Sequence, residues 1–170
     1  STLFVVASKS FTTAETVYHA KIAKAWVQEK LGADAIAKHF IAVTAKTTRA
    51  LEFGIAKENI LPMWQSVGGR YSVWSAVGVT NAFAIGWDNF IDFLKGAEAM
   101  DQHFKTADLK NNMPFILAML AVWYANFFKA ETHAVIPYAY PLMLFPNYCK
   151  QLHMESLGKS VSQQGELLDY

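Results

Sequence analysis

The stretch Leu3-Phe4-Val5-Val6-Ala7-Ser8-Lys9-Ser10-Phe11-Thr12-Thr13-Ala14-Glu15-Thr16 passes from an unbroken apolar run, through a cluster of hydroxyl side chains, into a segment with helical spacing. Leu3 to Ala7 has the character of a parallel strand enclosed on both faces. Ser8 to Thr12 is a polar loop, and the helix after it carries Val17, Ala20, Ala23, Val27 and Leu31 on one stripe. Thr12 and Glu15 have capping-box spacing, so Thr12 is the expected N-cap, and Gly32 is the expected stop. The same alternation continues. Phe40 to Thr44 reads as a second strand, Thr47 to Phe53 as a short helix ended by Gly54, and Ile60-Leu61-Pro62-Met63 as a third strand. Strand and helix in alternation predict an α/β fold, a parallel sheet with flanking helices.

From Tyr71 onward the pattern turns helical. Val73 to Ile85 reads as one helix, Trp87 to Phe104 as another and Met113 to Lys129 as a third, with Pro114 in its first turn. His133 to Pro137 reads as a return to strand. Leu142 to Lys159 is mainly helical, with Pro146 near its first full turn, and a polar tail follows Val161. There is no internal repeat and no low-complexity tract.

The chain has 170 residues, enough for a real core, with 14% aromatic and only 17% charged residues. Much apolar surface must therefore be covered by the core or by a partner. A net charge of +1 and the absence of a basic stripe give no case for nucleic acid. Cys149 is the single cysteine, which excludes an internal disulfide, fits a reducing compartment and gives a cytoplasmic location as the expectation. It reads as a buried thiol. No basic leader precedes the first apolar run. The longest apolar run, Met113 to Phe128, contains Pro114 and Asn126 and reads as a buried helix, not a membrane span. The chain opens within an apolar strand without methionine, so an internal piece of a longer protein is expected. The histidines show no metal-ligand spacing and no metal is expected. Trp64, Trp74, Trp87 and Trp123 read as core or interface residues.

Three segments carry chemistry. In the first, a strand delivers Ser8, Lys9, Ser10 and Thr13 to a helix start, whose open N–H groups and dipole favour an anion. Short hydroxyls and one amine at the carboxyl end of a strand describe a phosphate-monoester site. The same residues also fit a well-capped helix behind a polar turn. The second segment is Val67-Gly68-Gly69-Arg70-Tyr71-Ser72-Val73-Trp74-Ser75, where paired glycines let backbone approach a ligand and a guanidinium follows. A turn with a surface arginine fits it too. The third is Gln151-Leu152-His153-Met154-Glu155-Ser156-Leu157-Gly158-Lys159. If it is helical, Gln151 and Glu155 share a face. A carboxylate on an aromatic-rich apolar helix suits a base working near neutrality, and a solvated glutamate near a helix end has the same sequence.

Together these segments resemble the signatures of the phosphoglucose isomerase (glucose-6-phosphate isomerase) family. The first is similar to its phosphate loop, with Ser10 where threonine is usual. The second is similar to its Gly-Gly-Arg motif, and the third to its Met-Glu-Ser-Asn-Gly-Lys motif, with Leu157 in place of asparagine. Gly96-Ala97-Glu98-Ala99-Met100-Asp101-Gln102-His103-Phe104 resembles a family helix in which histidine is commoner at the place of Glu98. The resemblance runs over nearly the whole chain in the right order.

The resemblance implies a sugar-isomerase (SIS) type fold, incomplete as a fragment. Residues 1–86 would form the second half of the first sugar-isomerase subdomain, and 87–170 the helical bridge and the start of the second. It implies interconversion of glucose 6-phosphate and fructose 6-phosphate through an enediol(ate), with no cofactor and no metal. Ser8, Lys9, Ser10, Thr13 and Gln151 would bind the substrate phosphate. The Gly69 backbone would touch substrate, Arg70 would steady negative charge and Glu155 would move the proton. The full-length protein would be a homodimer, with a ring-opening histidine and lysine outside this chain. Two alternatives remain: a non-catalytic sugar-phosphate-binding module of the same fold, which would keep the hydroxyl loop and have no use for Glu155, and an interaction or structural fragment that binds no small ligand.

Overall fold

The computed structural model describes residues 2–155 and 157–168, in two compact units, Ser1–Leu94 and Lys95–Tyr170. The first unit holds a three-stranded parallel sheet in the order β1 (Phe4–Ala7), β2 (Phe40–Thr44), β3 (Ile60–Pro62). Phe4 pairs with Phe40 and Val6 with Ala42, and on the other side Ala42 pairs with Ile60 and Thr44 with Pro62. Parallel neighbours need a crossover. α1 (Ala14–Leu31) and α2 (Ile36–His39) connect β1 to β2, and α3 (Thr47–Phe53) connects β2 to β3. Gly32 and Gly54 end α1 and α3 as the sequence predicts.

Because side chains alternate along a strand, Phe4 and Val6 share a face with their partners Phe40 and Ala42. That face meets Ala20 and Val27 of α1, Ala50 of α3, and Ile36, Ile55 and Ile60 in one core cluster. Phe4 stacks on Phe40 at 5.0 Å between ring centroids, and Phe53 lies 6.0 Å from Phe40. Phe40, Ala42, Val43 and Thr44 are wholly buried. Burying a side chain of the size of Phe40 or Val43 contributes roughly 1.5–3 kcal/mol, so the central strand anchors this unit. The expectation of a strand enclosed on both faces therefore belongs to β2. β1 is an edge strand, with Val6 buried, Phe4 and Val5 half-buried and Ala7 exposed.

Several local expectations are corrected. The N-cap of α1 is Thr13, whose carbonyl accepts the first helical bond from Val17 N at 2.9 Å. Phe11 drives the shift: its ring is buried beside Phe53 and its backbone takes φ +53°, which turns the chain before the helix can begin. The helix expected over Val73–Ile85 is broken into 3-10 turns at Gly69–Ser72 and Ala76–Gly78 and a short α4 (Val79–Ile85). Ser75 causes the break, donating to Ser72 O at 2.6 Å and accepting from Val77 N at 3.4 Å. The strand expected over His133–Pro137 forms no ladder. The second unit's only strand pairing among the described residues is the antiparallel bridge of Val161 with Leu167, so no neighbouring strand lies beside this run among them. Cys149 is half-buried, and Trp64, Trp74, Trp87 and Trp123 are all outside the core.

α5 (Trp87–Thr106) and α6 (Met113–Phe128) form where expected. α6 is not the buried helix its composition suggests, since none of its residues is buried. Asn112 caps α6, accepting from Phe115 N at 3.1 Å while its amide donates to Phe104 O at 2.8 Å. α7 (Phe145–Lys150) runs directly into a π-helical turn over Gln151–Glu155. No helix among the described residues is long and apolar enough to cross a membrane.

Gly78 sits where a Cβ would strike the Val73 carbonyl and come within 2.6 Å of Phe90 Cζ. Gly78→Ala is expected to lower stability by about 1–3 kcal/mol. Gly96→Ala, in α5 with nothing within 4 Å, is expected to raise it by about 0.5–1 kcal/mol. Thermal unfolding followed by circular dichroism checks both, and equal shifts for the two would contradict the packing described.

Candidate functional site

The carboxyl ends of the three strands are stitched beyond the sheet. Ser8 N donates to Val43 O at 3.0 Å, Ala45 N to Lys9 O at 3.0 Å, and Met63 N to Thr44 O at 2.9 Å. Each loop therefore leaves its strand under the control of the neighbouring strand. Open α/β sheets hold their ligands at this edge.

On the β1 loop, Ser8 is buried and its hydroxyl lies 2.9 Å from the Thr13 hydroxyl at the start of α1. The Ser10 hydroxyl accepts from Thr12 Oγ1 at 2.6 Å and from Thr12 N at 3.3 Å. Thr12, the N-cap expected from sequence, thus supports Ser10 instead. Arg49 of α3 donates to the Ser10 carbonyl at 2.7 Å. The result is a cradle of hydroxyls at a helix N-terminus, flanked by the cations of Lys9 and Arg49, a setting that favours an anion.

The Gly-Gly-Arg loop comes to the same edge from β3. Lys9 Nζ donates to the Gln65 carbonyl. Its side chain crosses Gly68 so closely that a Cβ there would lie 3.3 Å from Lys9 Cδ and 3.5 Å from Nζ. Gly69 has φ +58°, a left-handed conformation that admits glycine most readily, and its carbonyl accepts from the Ser72 hydroxyl. Arg70 follows in the same 3-10 turn and is half-buried. Two segments some sixty positions apart in sequence therefore meet through one lysine.

In the second unit the expectation that Gln151 and Glu155 share a face holds. Gln151 Nε2 donates to Glu155 Oε2 at 3.3 Å across the π-helical turn, and both residues are exposed. Ser156 of the same motif lies outside the described residues. Among the described residues no three His, Cys, Asp or Glu side chains gather as a set of metal ligands.

Sequence reasoning missed Thr44, Gln65 and Arg49. Thr44 had a signal, as the only polar residue closing an otherwise apolar strand. Gln65 acts through its backbone, which no side-chain pattern reveals. Arg49 reaches over from another helix.

A family model described as Phosphoglucose isomerase matches residues 1–170. A glucose-6-phosphate isomerase of Coxiella burnetii (strain Dugway 5J108-111) is 51% identical over 171 residues, covering 100% of this chain and 31% of that protein. One of Corynebacterium glutamicum (strain R) is 53% identical over 165 residues, covering 97% of this chain and 31% of the relative. The crystal structure of a hypothetical protein from Thermus thermophilus matches with a TM-score of 0.83 at 28% identity, covering 98% of this chain and 39% of that one. The chain thus spans about a third of the length of the curated relatives it matches.

Gly68 has extended backbone that any residue adopts, and a new Cβ there meets only the movable end of Lys9. Gly68→Ala is therefore expected to cost less than about 1 kcal/mol of stability. It should displace the Lys9 amine from Gln65 and weaken binding of inorganic phosphate about tenfold in calorimetry, the lower end of the worth of one charged hydrogen bond. Unchanged phosphate affinity would separate the two loops functionally.

Proposed function

Because the chain belongs to the phosphoglucose isomerase family over its whole length, we propose that it forms part of an aldose–ketose isomerase interconverting glucose 6-phosphate and fructose 6-phosphate. Its fold is the sugar-isomerase type of α/β sheet. The observation that carries this function is the meeting of the hydroxyl loop and the Gly-Gly-Arg loop at one strand edge through Lys9, Gln65 and Gly68. An anion cradle beside a guanidinium loop suits a sugar phosphate whose far end becomes negative during reaction.

The reaction moves one proton between adjacent carbons. The Glu155 carboxylate takes the C2 proton of the open-chain aldose, the electron pair shifts toward C1, and an enediol(ate) forms. O1 gains a proton as the O2 hydroxyl gives one up, and return of the first proton to C1 with closure of the C2 carbonyl gives the ketose, so at carbon a single carboxylate serves as base and then as acid. Arg70 steadies the negative oxygen of the intermediate, which a fixed guanidinium does without reorganising. Ser8, Lys9, Ser10, Thr13 and Gln151 hold the phosphate, with the Gly69 backbone against the sugar. Binding energy gathered at the phosphate keeps the reacting carbons in register. Ring opening is assigned to a histidine and a lysine outside these residues, the histidine from the partner subunit of a homodimer, and the location to the cytoplasm.

The Gln151–Glu155 hydrogen bond favours catalysis over mere sugar-phosphate binding, because it ties a phosphate-binding residue to a carboxylate that binding alone does not need. In the full-length enzyme Glu155→Gln is expected to lower kcat by about 10²–10⁴-fold with KM little changed. A coupled assay with fructose 6-phosphate checks it, and retained turnover would sink the assignment of the base. The 170-residue chain alone is expected to show little or no turnover in that assay, and a rate comparable with the full-length enzyme would refute the need for outside residues.

A further inference from the structure

We infer that Thr44 is a positioning residue for the phosphate loop, fixing its hydroxyls from behind without touching the ligand; this rests on the phosphate-binding role proposed above for Ser8, Lys9, Ser10 and Thr13. Thr44 closes the central strand β2 and is wholly buried. Its hydroxyl donates to the Lys9 carbonyl at 3.2 Å and accepts from Lys46 N at 3.1 Å. Its own carbonyl accepts from Met63 N at 2.9 Å. One residue therefore holds the β1 loop, the turn into α3 and the exit of β3.

The consequence for the loop follows from peptide geometry. The Lys9 carbonyl receives two donors from the end of β2, the Thr44 hydroxyl and Ala45 N. In a planar trans peptide the carbonyl and the following N–H point in opposite directions. Anchoring the Lys9 carbonyl on the end of β2 therefore fixes the plane of the Lys9–Ser10 peptide and aims the Ser10 N–H away from β2. Arg49 fixes the next carbonyl, that of Ser10, so the loop is constrained at two successive peptides. With the Thr44 hydroxyl removed, the Lys9 carbonyl keeps one donor, the Lys46 N–H loses its acceptor, and the loop gains freedom to tilt.

Buried polar groups are ordinarily satisfied, so two bonds on the Thr44 hydroxyl are by themselves a folding requirement. What makes Thr44 functional in addition is where those bonds lead. One ends on the loop that carries the proposed phosphate ligands and the other on the adjoining turn into α3, and neither ends in the core cluster. A Thr44→Val change preserves shape and removes only the hydroxyl, while Thr44→Ser restores the hydroxyl and removes only the methyl.

The test uses the full-length enzyme, with fructose 6-phosphate turnover and inorganic phosphate as a competitive probe. Thr44→Val is expected to raise KM and the phosphate inhibition constant together, each about tenfold, the worth of one buried hydrogen bond. kcat should stay within about twofold, and Thr44→Ser should return both constants to near the parental values. Unchanged constants in Thr44→Val, a fall in kcat alone, or a Thr44→Ser variant as impaired as Thr44→Val would each overturn the inference. If Thr44→Val does not fold, hydrogen exchange in the parental enzyme decides: saturating phosphate should slow exchange of the Ala45 and Lys46 amides, and unaltered protection overturns the inference. Absence of hexose phosphate turnover in the parent would strike the isomerase reading alone, because the phosphate affinities measured by calorimetry still report on Thr44.

Discussion

Continuation of hydrogen bonding between β1 and β2 past the ends of the strands is the constraint on which the ligand edge depends. Ser8 N on Val43 O and Ala45 N on Lys9 O extend the parallel ladder into what would otherwise be free loop. A loop normally pays for its mobility in imprecision, and catalytic positioning tolerates errors of well under an ångström. Here the backbone that bears the hydroxyls is held to the stiffest element of the unit, the strand buried along Phe40, Ala42, Val43 and Thr44. Rigid support from beneath lets short side chains such as Ser8 and Thr13 act as fixed donors with little conformational freedom left to lose.

The same arrangement explains the division of labour among residue types. Hydroxyls and a helix start supply directed, uncharged donors. Lys9 and Arg49 supply charge near them, with Lys9 also spanning to the loop that carries Arg70. Arg70 follows a glycine with φ +58° that turns the chain sharply just before it.

Much of this was legible in the sequence because it is written in local patterns. The three strands, α1, α3, α5 and α6 follow from apolar runs, periodicity and glycine stops. The three motifs, taken together, led to the family. What was not legible depends on contacts between distant residues. Thr13 rather than Thr12 caps α1 because Phe11 is drawn into the core by Phe53, forty-two positions away. Val73–Ile85 is helical in period, yet Ser75 diverts two backbone groups and Gly78 is pressed against Phe90. His133–Pro137 has strand composition, but composition cannot supply a neighbouring strand. Thr44 stood out only as the one polar residue closing an apolar strand, and what its hydroxyl holds depends on Lys9, thirty-five positions away.

α6 bears on how this segment exists in water. It runs for sixteen residues with the sequence MPFILAMLAVWYANFF and buries none of them, leaving Leu117, Trp123, Phe127 and Phe128 more than half exposed. Large apolar side chains exposed together in this way mark a surface suited to contact. Left uncovered, it makes solubility a function of concentration and draws in detergent, chaperone or a second copy, so the apparent melting point becomes a property of the mixture. The longest apolar run of the sequence thus forms a helix whose large side chains stand open to contact.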